Sequence, residues 1–191
     1  MTEYSGFAKQ LPKKTIENAQ SGDRAAMEEI YLQYGNPCFC LANRIIANKE
    51  AAQDIVHIVF VKVMNNIQKF DNSGSFSGWL RKIAVNESIG HLRSHNKNMK
   101  DTEFEDDLIL DNQYSDASSQ FDTRWWEACK DLSTLTQKLS EQARAVLILH
   151  EIEGYSHQEI AMLFGKSESF SKQSLARTLQ QLQKLNSIKE V

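Results

Sequence analysis

The chain of 191 residues is long enough for one domain or two small ones. It holds only 8 Gly and 2 Pro, and this scarcity of turn-forming residues favours long helices over a β fold with many turns. The sequence has no run of about 18 apolar residues, and the segment from Met1 to Leu11 lacks an apolar stretch. We therefore expect no membrane insertion, no secretory signal and a cytoplasmic protein.

Two stretches in the N-terminal half have apolar residues at helical spacing. The first lies within residues 24–34, and Asn48 is a candidate N-cap of the second. A loop is predicted at residues 71–75 from their Asp, Asn, Ser and Gly content, and a helix from about Phe76 to His95 follows it. The second stretch runs over roughly four turns and contains Ala52, Ile55, Val56, Val59, Phe60, Val63, Met64 and Ile67.

The sequence changes character after residue 97. Residues 98–123 lack sustained periodicity and are rich in acidic side chains, so they are predicted to form a flexible acidic linker. Residues 124–191 are predicted to be helical again. The predicted fold is therefore all-α, with one helical domain at residues 1–97 and a second at residues 124–191.

The net charge of −3 is distributed unevenly along this chain. Residues 72–100 carry five basic side chains and one acidic one, whereas residues 101–131 carry two basic and ten acidic side chains. A basic segment that leads into an acidic one is more informative than the total charge. The distribution is therefore compatible with a nucleic-acid-binding surface on residues 72–100, despite the negative total.

Residues 70–97 form the first candidate nucleic-acid site. Aromatic residues flank the predicted loop, and a basic helix follows it. Aromatic side chains stack on the bases of single-stranded DNA while Lys and Arg hold its backbone, so the combination favours that ligand. The alternative is that the aromatic residues belong to the core. The candidate contacts are Asn72, Ser73, Phe76, Trp79, Arg81, Lys82, Asn86 and Arg93.

The second domain contains a pattern typical of a helix-turn-helix. Ser156 and Glu159 match a capping box at the start of a short helix that ends at Gly165, and Ser167 is a candidate cap of a last helix to about Lys184. This arrangement places its second helix in the major groove of DNA, although a hairpin in an ordinary helical bundle would give the same local pattern. The candidate DNA contacts are Ser167, Ser169, Phe170, Lys172, Gln173 and Arg177.

The sequence predicts neither a metal site nor a catalytic site. Its three cysteines are odd in number and lack CxxC spacing, which favours free thiols over disulfides or a zinc site. His91 and His95 are four residues apart, but no nearby cysteine completes a metal site. The Gly-rich phosphate loop, HExxH and GxSxG motifs are missing from the sequence. We expect no cofactor and no enzyme activity.

Several segments, in order, resemble bacterial RNA polymerase sigma factors of the sigma-70 family, and within it the extracytoplasmic-function (ECF) group. Residues 22–35 resemble the opening of region 2, and residues 51–60 its region 2.2. Residues 75–86 and 91–93 are similar to regions 2.3 and 2.4. Residues 139–149, 153–156, 159–161 and 170–172 resemble region 4. Several motifs in the right order are more specific than a lone helix-turn-helix.

The resemblance implies a role for each segment. The helix with Asp54, Ile55 and Phe60 would dock on the β′ clamp helices of core RNA polymerase. The loop at residues 72–75 and the helix after it would recognise and open the promoter −10 element. The helix from Ser167 would enter the major groove at the −35 element. The implied partners are core RNA polymerase, through its β′ clamp helices and β flap, promoter DNA and, as a further candidate, an anti-sigma factor.

Two other functions are compatible with parts of this pattern. A helix-turn-helix regulator with an N-terminal sensor or dimerisation domain would bind duplex DNA without core polymerase. A helical interaction protein would bind no DNA. The basic segment at residues 72–100 and its aromatic loop favour the sigma factor, because a sensor domain does not need them.

Overall fold

The computed structural model of the protein describes residues 6–71, 73–98, 136 and 138–189. Over these residues the chain is helical and contains no strand, which confirms the predicted all-α class. A 3-10 turn at Ile67–Lys69 follows the third helix, and a π-helical turn at Ile148–Ile152 follows the fifth. The α-helices are α1 (Lys13–Gln20), α2 (Arg24–Ile46), α3 (Lys49–Asn66), α4 (Phe76–Asn98), α5 (Glu141–Leu147), α6 (His157–Phe164) and α7 (Glu168–Lys189).

Helices α1–α4 form an N-terminal bundle in which side-chain caps set two of the helix starts. The Asp23 carboxylate accepts a hydrogen bond of 2.8 Å from the Ala25 amide at the start of α2. Asn48 Oδ1 accepts one of 2.9 Å from the Ala51 amide at the start of α3, which confirms the predicted cap. Each cap satisfies an amide that has no partner within the helix and stabilises the helix by roughly 1 kcal/mol.

Helix α3 buries the predicted apolar stripe with one exception. The side chains of the stripe from Ala52 to Val63 are at most 7% exposed, because α3 packs against α2 and α4. Met64, which belongs to the same apolar stretch, is instead 59% exposed. Helix α3 therefore carries apolar side chains on a solvent face as well as in the core. The exposed ones are Ile58, Val61 and Met64.

Helices α6 and α7 form the predicted helix-turn-helix. The Ser156 hydroxyl accepts a hydrogen bond from the Glu159 amide, and the Glu159 carboxylate accepts one from the Ser156 amide, which confirms the capping box. Helix α6 ends at Gly165, whose φ of 64° lies in the left-handed region that favours glycine. The Ser167 hydroxyl accepts from the Phe170 amide at 3.3 Å and caps α7, which continues beyond its predicted end near Lys184.

The N-terminal bundle and the helix-turn-helix domain pack against each other through a shared hydrophobic core. Arg144 of α5 is 1% exposed, and its guanidinium donates to the carbonyl oxygens of Ile45 (3.2 Å) and Ile46 (3.0 Å) at the end of α2. The last carbonyls of a helix have no partner within it, so Arg144 satisfies groups that would otherwise be buried without a donor.

The proposed domain boundaries depend on residues that the structure does not describe. Apart from Asn98, the predicted linker at residues 98–123 and the predicted start of the second domain at residue 124 lie outside the described residues. The boundaries 1–97 and 124–191 therefore stay predictions. Among the described helices, none is long and apolar enough to cross a membrane.

The cysteines correct one prediction. Cys38 is a free thiol in the core, and burial raises its pKa. Cys40 is disulfide-bonded, so the expectation of free thiols is wrong for this residue. Cysteine number and spacing do not reveal which sulfur atoms the fold brings close enough to bond.

Candidate nucleic-acid interface

Helix α4 presents an exposed polar face. Lys82, Asn86 and Arg93 are all exposed, and their spacing of four and then seven residues places them on one side of the helix. Two cations and an amide on one face suit the backbone and the bases of a nucleic acid. The structure thus brings together three of the residues that the sequence predicted to contact DNA.

An aromatic cluster supports the N-terminal end of this face. The ring centroids of Phe70, Phe76 and Trp79 lie 5.4 to 5.6 Å apart in all three pairs. Phe76 is 6% exposed, so its side chain belongs to the core and not to the surface on which the sequence analysis placed it. Trp79 is half-buried and packs against the core.

The loop before α4 is exposed. The Ser73 amide donates a hydrogen bond of 3.0 Å to Asp71 Oδ1, and hydrogen bonds from the Ser73 backbone and side chain lower the pKa of the Asp71 carboxyl. Ser73 is exposed and open to a ligand. Asn72, also predicted to contact DNA, lies outside the described residues.

Arg81 lies apart from the exposed face of α4. Its side chain is 28% exposed, and its Nε atom lies 2.8 Å from Glu153 Oε2 in the turn before α6. Burial raises the pKa of the Glu153 carboxyl, whereas the positive charges of Arg81 and Arg44 oppose that shift. The sequence predicted Arg81 as a DNA contact, but its partner in this structure is a carboxylate of the other domain.

Helix α7 presents a second exposed face, which contains four of the predicted DNA contacts: Ser169, Lys172, Gln173 and Arg177. Lys172 Nζ lies 2.7 Å from the Glu168 carboxylate one turn earlier. Both side chains are exposed, so this pair contributes little to stability and leaves Lys172 able to exchange its partner.

The other two residues predicted on this helix have structural roles. Phe170 is half-buried, and its ring centroid lies 5.7 Å from that of Phe164 in α6. This contact packs α7 against α6 and covers part of the ring that was expected to reach DNA. Ser167 is exposed and caps the helix through its hydroxyl.

Helix α3 holds the residues predicted to contact a protein partner. Asp54 is exposed, but Ile55 and Phe60 are only 3% and 7% exposed and lie in the core. Their side chains are therefore not on a contact surface, which corrects the prediction for these two residues. Ile58 and Val61, which are 42% and 56% exposed, were not among the predicted contacts. The signal available in the sequence was that these two apolar residues lie outside the buried stripe of α3.

Both domains match known family models. The model described as Sigma-70 region 2 matches residues 30–98, which hold most of α2 and all of α3 and α4. The model described as Sigma-70, region 4 matches residues 129–182, which hold α5, α6 and most of α7. The chain belongs to the sigma-70 family. The N-terminal bundle contains its region 2, and the helix-turn-helix domain contains its region 4.

Individual sigma factors agree with this assignment. RNA polymerase sigma factor YlaC of Bacillus subtilis is 30% identical over 164 residues, which cover 84% of this chain and 92% of that protein. ECF RNA polymerase sigma factor SigE of Mycolicibacterium smegmatis is 28% identical over 175 residues, which cover 90% of this chain and 66% of that protein. The predicted membership of the ECF group is confirmed.

A solved structure has the same fold. It contains the sigma factor RpoE in complex with the anti-sigma factor NepR from Bartonella quintana. The likeness has a TM-score of 0.51 at 19% sequence identity, and it covers 84% of this chain and 96% of that one. At this level of identity the likeness concerns the fold alone.

Proposed function

We propose that this sigma factor binds core RNA polymerase and directs promoter-specific transcription initiation. The observation that carries the proposal is that region 2 and region 4 each present an exposed helix face with basic and amide side chains, on α4 and on α7 respectively. Two such faces on separate domains suit the recognition of two promoter elements by one protein.

In region 2, we assign contact with the −10 element to the exposed side of α4 and the loop before it. Lys82 and Arg93 bind the phosphates of the strand, and Asn86 pairs with a base edge. Trp79 offers the exposed part of its ring to an unstacked base. Phe76 supports Trp79 from the core. Asn72 and Ser73 belong to the same proposal, because they were predicted to lie in the adjacent loop.

In region 4, we assign contact with the −35 element to α7 in the major groove. Lys172 and Arg177 contribute charge and bind phosphates at any sequence, whereas the Gln173 amide can pair with adenine through two hydrogen bonds. Ser169 is a further donor near the start of the helix. Phe170 and Ser167 position the helix by packing and capping.

The contact with core polymerase is assigned to the exposed apolar face of α3. Ile58, Val61 and Met64 are spaced by three residues and lie beside one another on the helix surface. An apolar patch with a carboxylate at its end, Asp54, suits a protein partner better than a nucleic acid. The β′ clamp helices are the proposed partner of this face, the β flap is a second contact on the polymerase, and an anti-sigma factor would compete with the polymerase.

A non-catalytic, cytoplasmic role is consistent with this assignment. The proposal requires no reaction step and no cofactor, because a sigma factor acts by binding promoter DNA and polymerase. The polymerase and the promoter both lie in the bacterial cytoplasm, so the protein would act there.

Transcription from a promoter library tests the proposal. Core RNA polymerase freed of its own sigma subunits is mixed with the full chain and a library of promoter fragments, and the transcripts are sequenced. We expect transcripts from a subset of fragments that share −35 and −10 sequences, and only when chain and core are both present. Sequence-specific duplex binding by the chain alone, with no transcription when core is added, would instead support a free helix-turn-helix regulator.

A further inference from the structure

The segment before α2 contacts both ends of the loop that leads into α4. Helix α1 and the residues before it lie outside the region 2 match, which begins at residue 30. Two glutamines of this segment, Gln10 and Gln20, form hydrogen bonds at either end of the loop at residues 71–75. A part of the chain that is distant in sequence therefore restrains the loop on both sides.

Gln20 restrains the start of the loop. Its Nε2 atom donates to the carbonyl oxygen of Phe70 at 2.7 Å and to that of Ile67 at 2.9 Å. A side-chain amide carries two N–H protons, so one glutamine satisfies both acceptors. The ring of Phe70 contacts Trp79, with ring centroids 5.6 Å apart. Gln20 therefore fixes the backbone of a residue whose ring supports the exposed side of α4.

Gln10 restrains the end of the loop through a closed ring of hydrogen bonds. Its Nε2 atom donates to Ser77 Oγ at 2.7 Å, and its Oε1 atom accepts from Ser75 Oγ at 3.2 Å. The two serine hydroxyls lie 2.8 Å apart. Because each hydroxyl has one proton, Ser77 donates to Ser75 and Ser75 donates to Gln10. Ser75 Oγ also accepts from the Gly78 amide, so the ring includes the first turn of α4.

The residues around Gln10 are anchored on the core of the bundle. Phe7 is 6% exposed, and its ring stacks on that of Tyr34 with centroids 6.1 Å apart. The Tyr34 hydroxyl donates to the Lys9 carbonyl oxygen at 3.0 Å, and its ring centroid lies 6.0 Å from that of Phe76. Because its neighbours are fixed in this way, Gln10 restrains the loop and does not simply move with it.

We propose that Gln10 and Gln20 are positioning residues for −10 recognition, which hold the loop before α4 and the first turn of α4 in the conformation that receives the −10 strand. The inference rests on the proposed assignment of this loop and α4 to the −10 element. Neither glutamine has to touch DNA. A loop that is already ordered loses less conformational entropy when the strand binds, so its affinity is higher. It also cannot shift to accommodate a wrong base.

Gln20→Glu and Gln10→Glu make the same substitution with opposite expected results. The two carbonyl oxygens beside Gln20 can only accept, so a carboxylate at position 20 loses both hydrogen bonds. The two serine hydroxyls beside Gln10 can turn their protons towards a carboxylate, which keeps two hydrogen bonds at that end. Gln10→Leu removes them. Gln68→Glu is the charge control, because it places an equal charge at an exposed position of the 3-10 turn before the loop.

Hydrogen exchange on the full chain measures the restraint directly. We expect the amides of residues 70–79 to exchange roughly tenfold faster in Gln20→Glu and about threefold faster in Gln10→Leu, as the loss of net hydrogen bonds implies. Gln10→Glu and Gln68→Glu should match the wild type. Wild-type exchange in Gln20→Glu or in Gln10→Leu would overturn the inference for that residue. If Gln20→Glu loses its helical circular dichroism, Gln20→Met replaces it, because this variant removes the same donors without adding a charge.

Base preference at −10 distinguishes a positioning role from a general loss of stability. Each variant is combined with core polymerase, and a promoter library is transcribed. We expect Gln20→Glu and Gln10→Leu to reduce the discrimination between −10 bases severalfold, with wild-type preference at −35 and wild-type affinity for core. A bundle that is merely less stable would lower transcription from all promoters alike, and that result would overturn the positioning role.

Asn86→Ala separates a failure of this inference from a failure of the proposed function. Asn86 is exposed on α4, and the hydrogen bonds of the two glutamines do not involve it. If Asn86→Ala changes the −10 preference but Gln20→Glu exchanges faster without changing it, the glutamines have no positioning role. If neither variant changes the −10 preference, the assignment of α4 to the −10 element is wrong, and the positioning role is overturned with it.

Discussion

His157 Nδ1 lies 3.0 Å from Ser171 Oγ, and this contact joins the first residue of α6 to the buried face of α7. Ser171 is fully buried at a position where helix-turn-helix units usually carry an apolar residue. The hydrogen bond explains why a hydroxyl is tolerated there, because a buried polar group is costly only when it has no partner. The two helices of the helix-turn-helix are therefore joined by a directional contact as well as by packing.

Ser171→Ala is expected to destabilise region 4. The variant loses the hydrogen bond to His157, which contributes about 1 kcal/mol to the free energy of unfolding. Ser169→Ala is the matched control, because it makes the same substitution at an exposed position of the same helix. Urea unfolding followed by circular dichroism measures both. The same midpoint for the two variants would show that the contact contributes nothing.

Val61→Glu is expected to weaken binding to core RNA polymerase by about tenfold or more, a loss typical of a central residue in an interface. On binding, the new carboxylate would be buried without a partner in the apolar interface between α3 and the polymerase. Asn18→Glu adds an equal charge to the exposed side of α1 and is expected to bind like the wild type. Fluorescence titration of labelled protein with core polymerase measures the affinity. Equal weakening by both variants would argue against α3 as the surface that contacts core polymerase.

Asn86→Ala is expected to impair promoter opening more than binding to core polymerase. Asn86 is exposed on α4. Under the proposed −10 assignment, its removal takes away a base contact without disturbing the bundle. Trp79→Ala is expected to impair opening too, but it also removes a ring from the aromatic cluster with Phe70 and Phe76. Permanganate reactivity of promoter thymines in the mutant holoenzyme measures opening. Normal reactivity in both variants would argue against the −10 assignment.

Gln173→Ala is expected to change which −35 bases are preferred, more than it changes overall affinity. The Gln173 amide carries no charge but can form two hydrogen bonds with adenine. Lys172→Ala is the comparison, because a lost cation weakens binding to all sequences alike and reduces the salt slope by roughly one unit. Arg177→Ala should behave like Lys172→Ala. A promoter library scored with the holoenzyme of each variant measures the base preference at −35. An unchanged base preference in Gln173→Ala would leave α7 as a docking element.

The pH dependence of stability is expected to differ between the wild type and Glu153→Gln. Burial raises the pKa of the Glu153 carboxyl above its ordinary value of 4.5, against the opposing charges of Arg81 and Arg44. A carboxyl whose pKa is higher in the folded state takes up a proton on folding, so its contribution is fully present below 4.5 and is lost as the pH rises through the folded pKa.

The free energy of unfolding of the wild type should therefore fall relative to that of Glu153→Gln as the pH rises from 4.5 towards neutrality. The variant has no carboxyl at this position, so the difference between the two proteins isolates the contribution of Glu153. Urea unfolding across this range measures it. A difference that stays constant with pH, or that grows in favour of the wild type, would contradict the assignment.

The sequence alone predicted the features that depend on neighbouring residues. Asn48, Ser156 with Glu159, and Ser167 mark helix starts, and their hydrogen bonds span three residues. Gly165 ends α6 because a left-handed residue is needed there. Such interactions recur wherever the same residues follow one another, so their pattern and the order of the family motifs are visible without a tertiary structure.

Only the tertiary structure decided which side chains face solvent and which face the core. Helical periodicity placed Phe60 and Met64 on one stripe, but the packing of α2 and α4 buries the first and leaves the second exposed. The tertiary structure also determined the partners of two arginines. Arg81 meets Glu153 across 72 residues of sequence, and Arg144 meets Ile45 across 99. The partners of such groups depend on how helices from distant parts of the chain come together, which no local pattern determines.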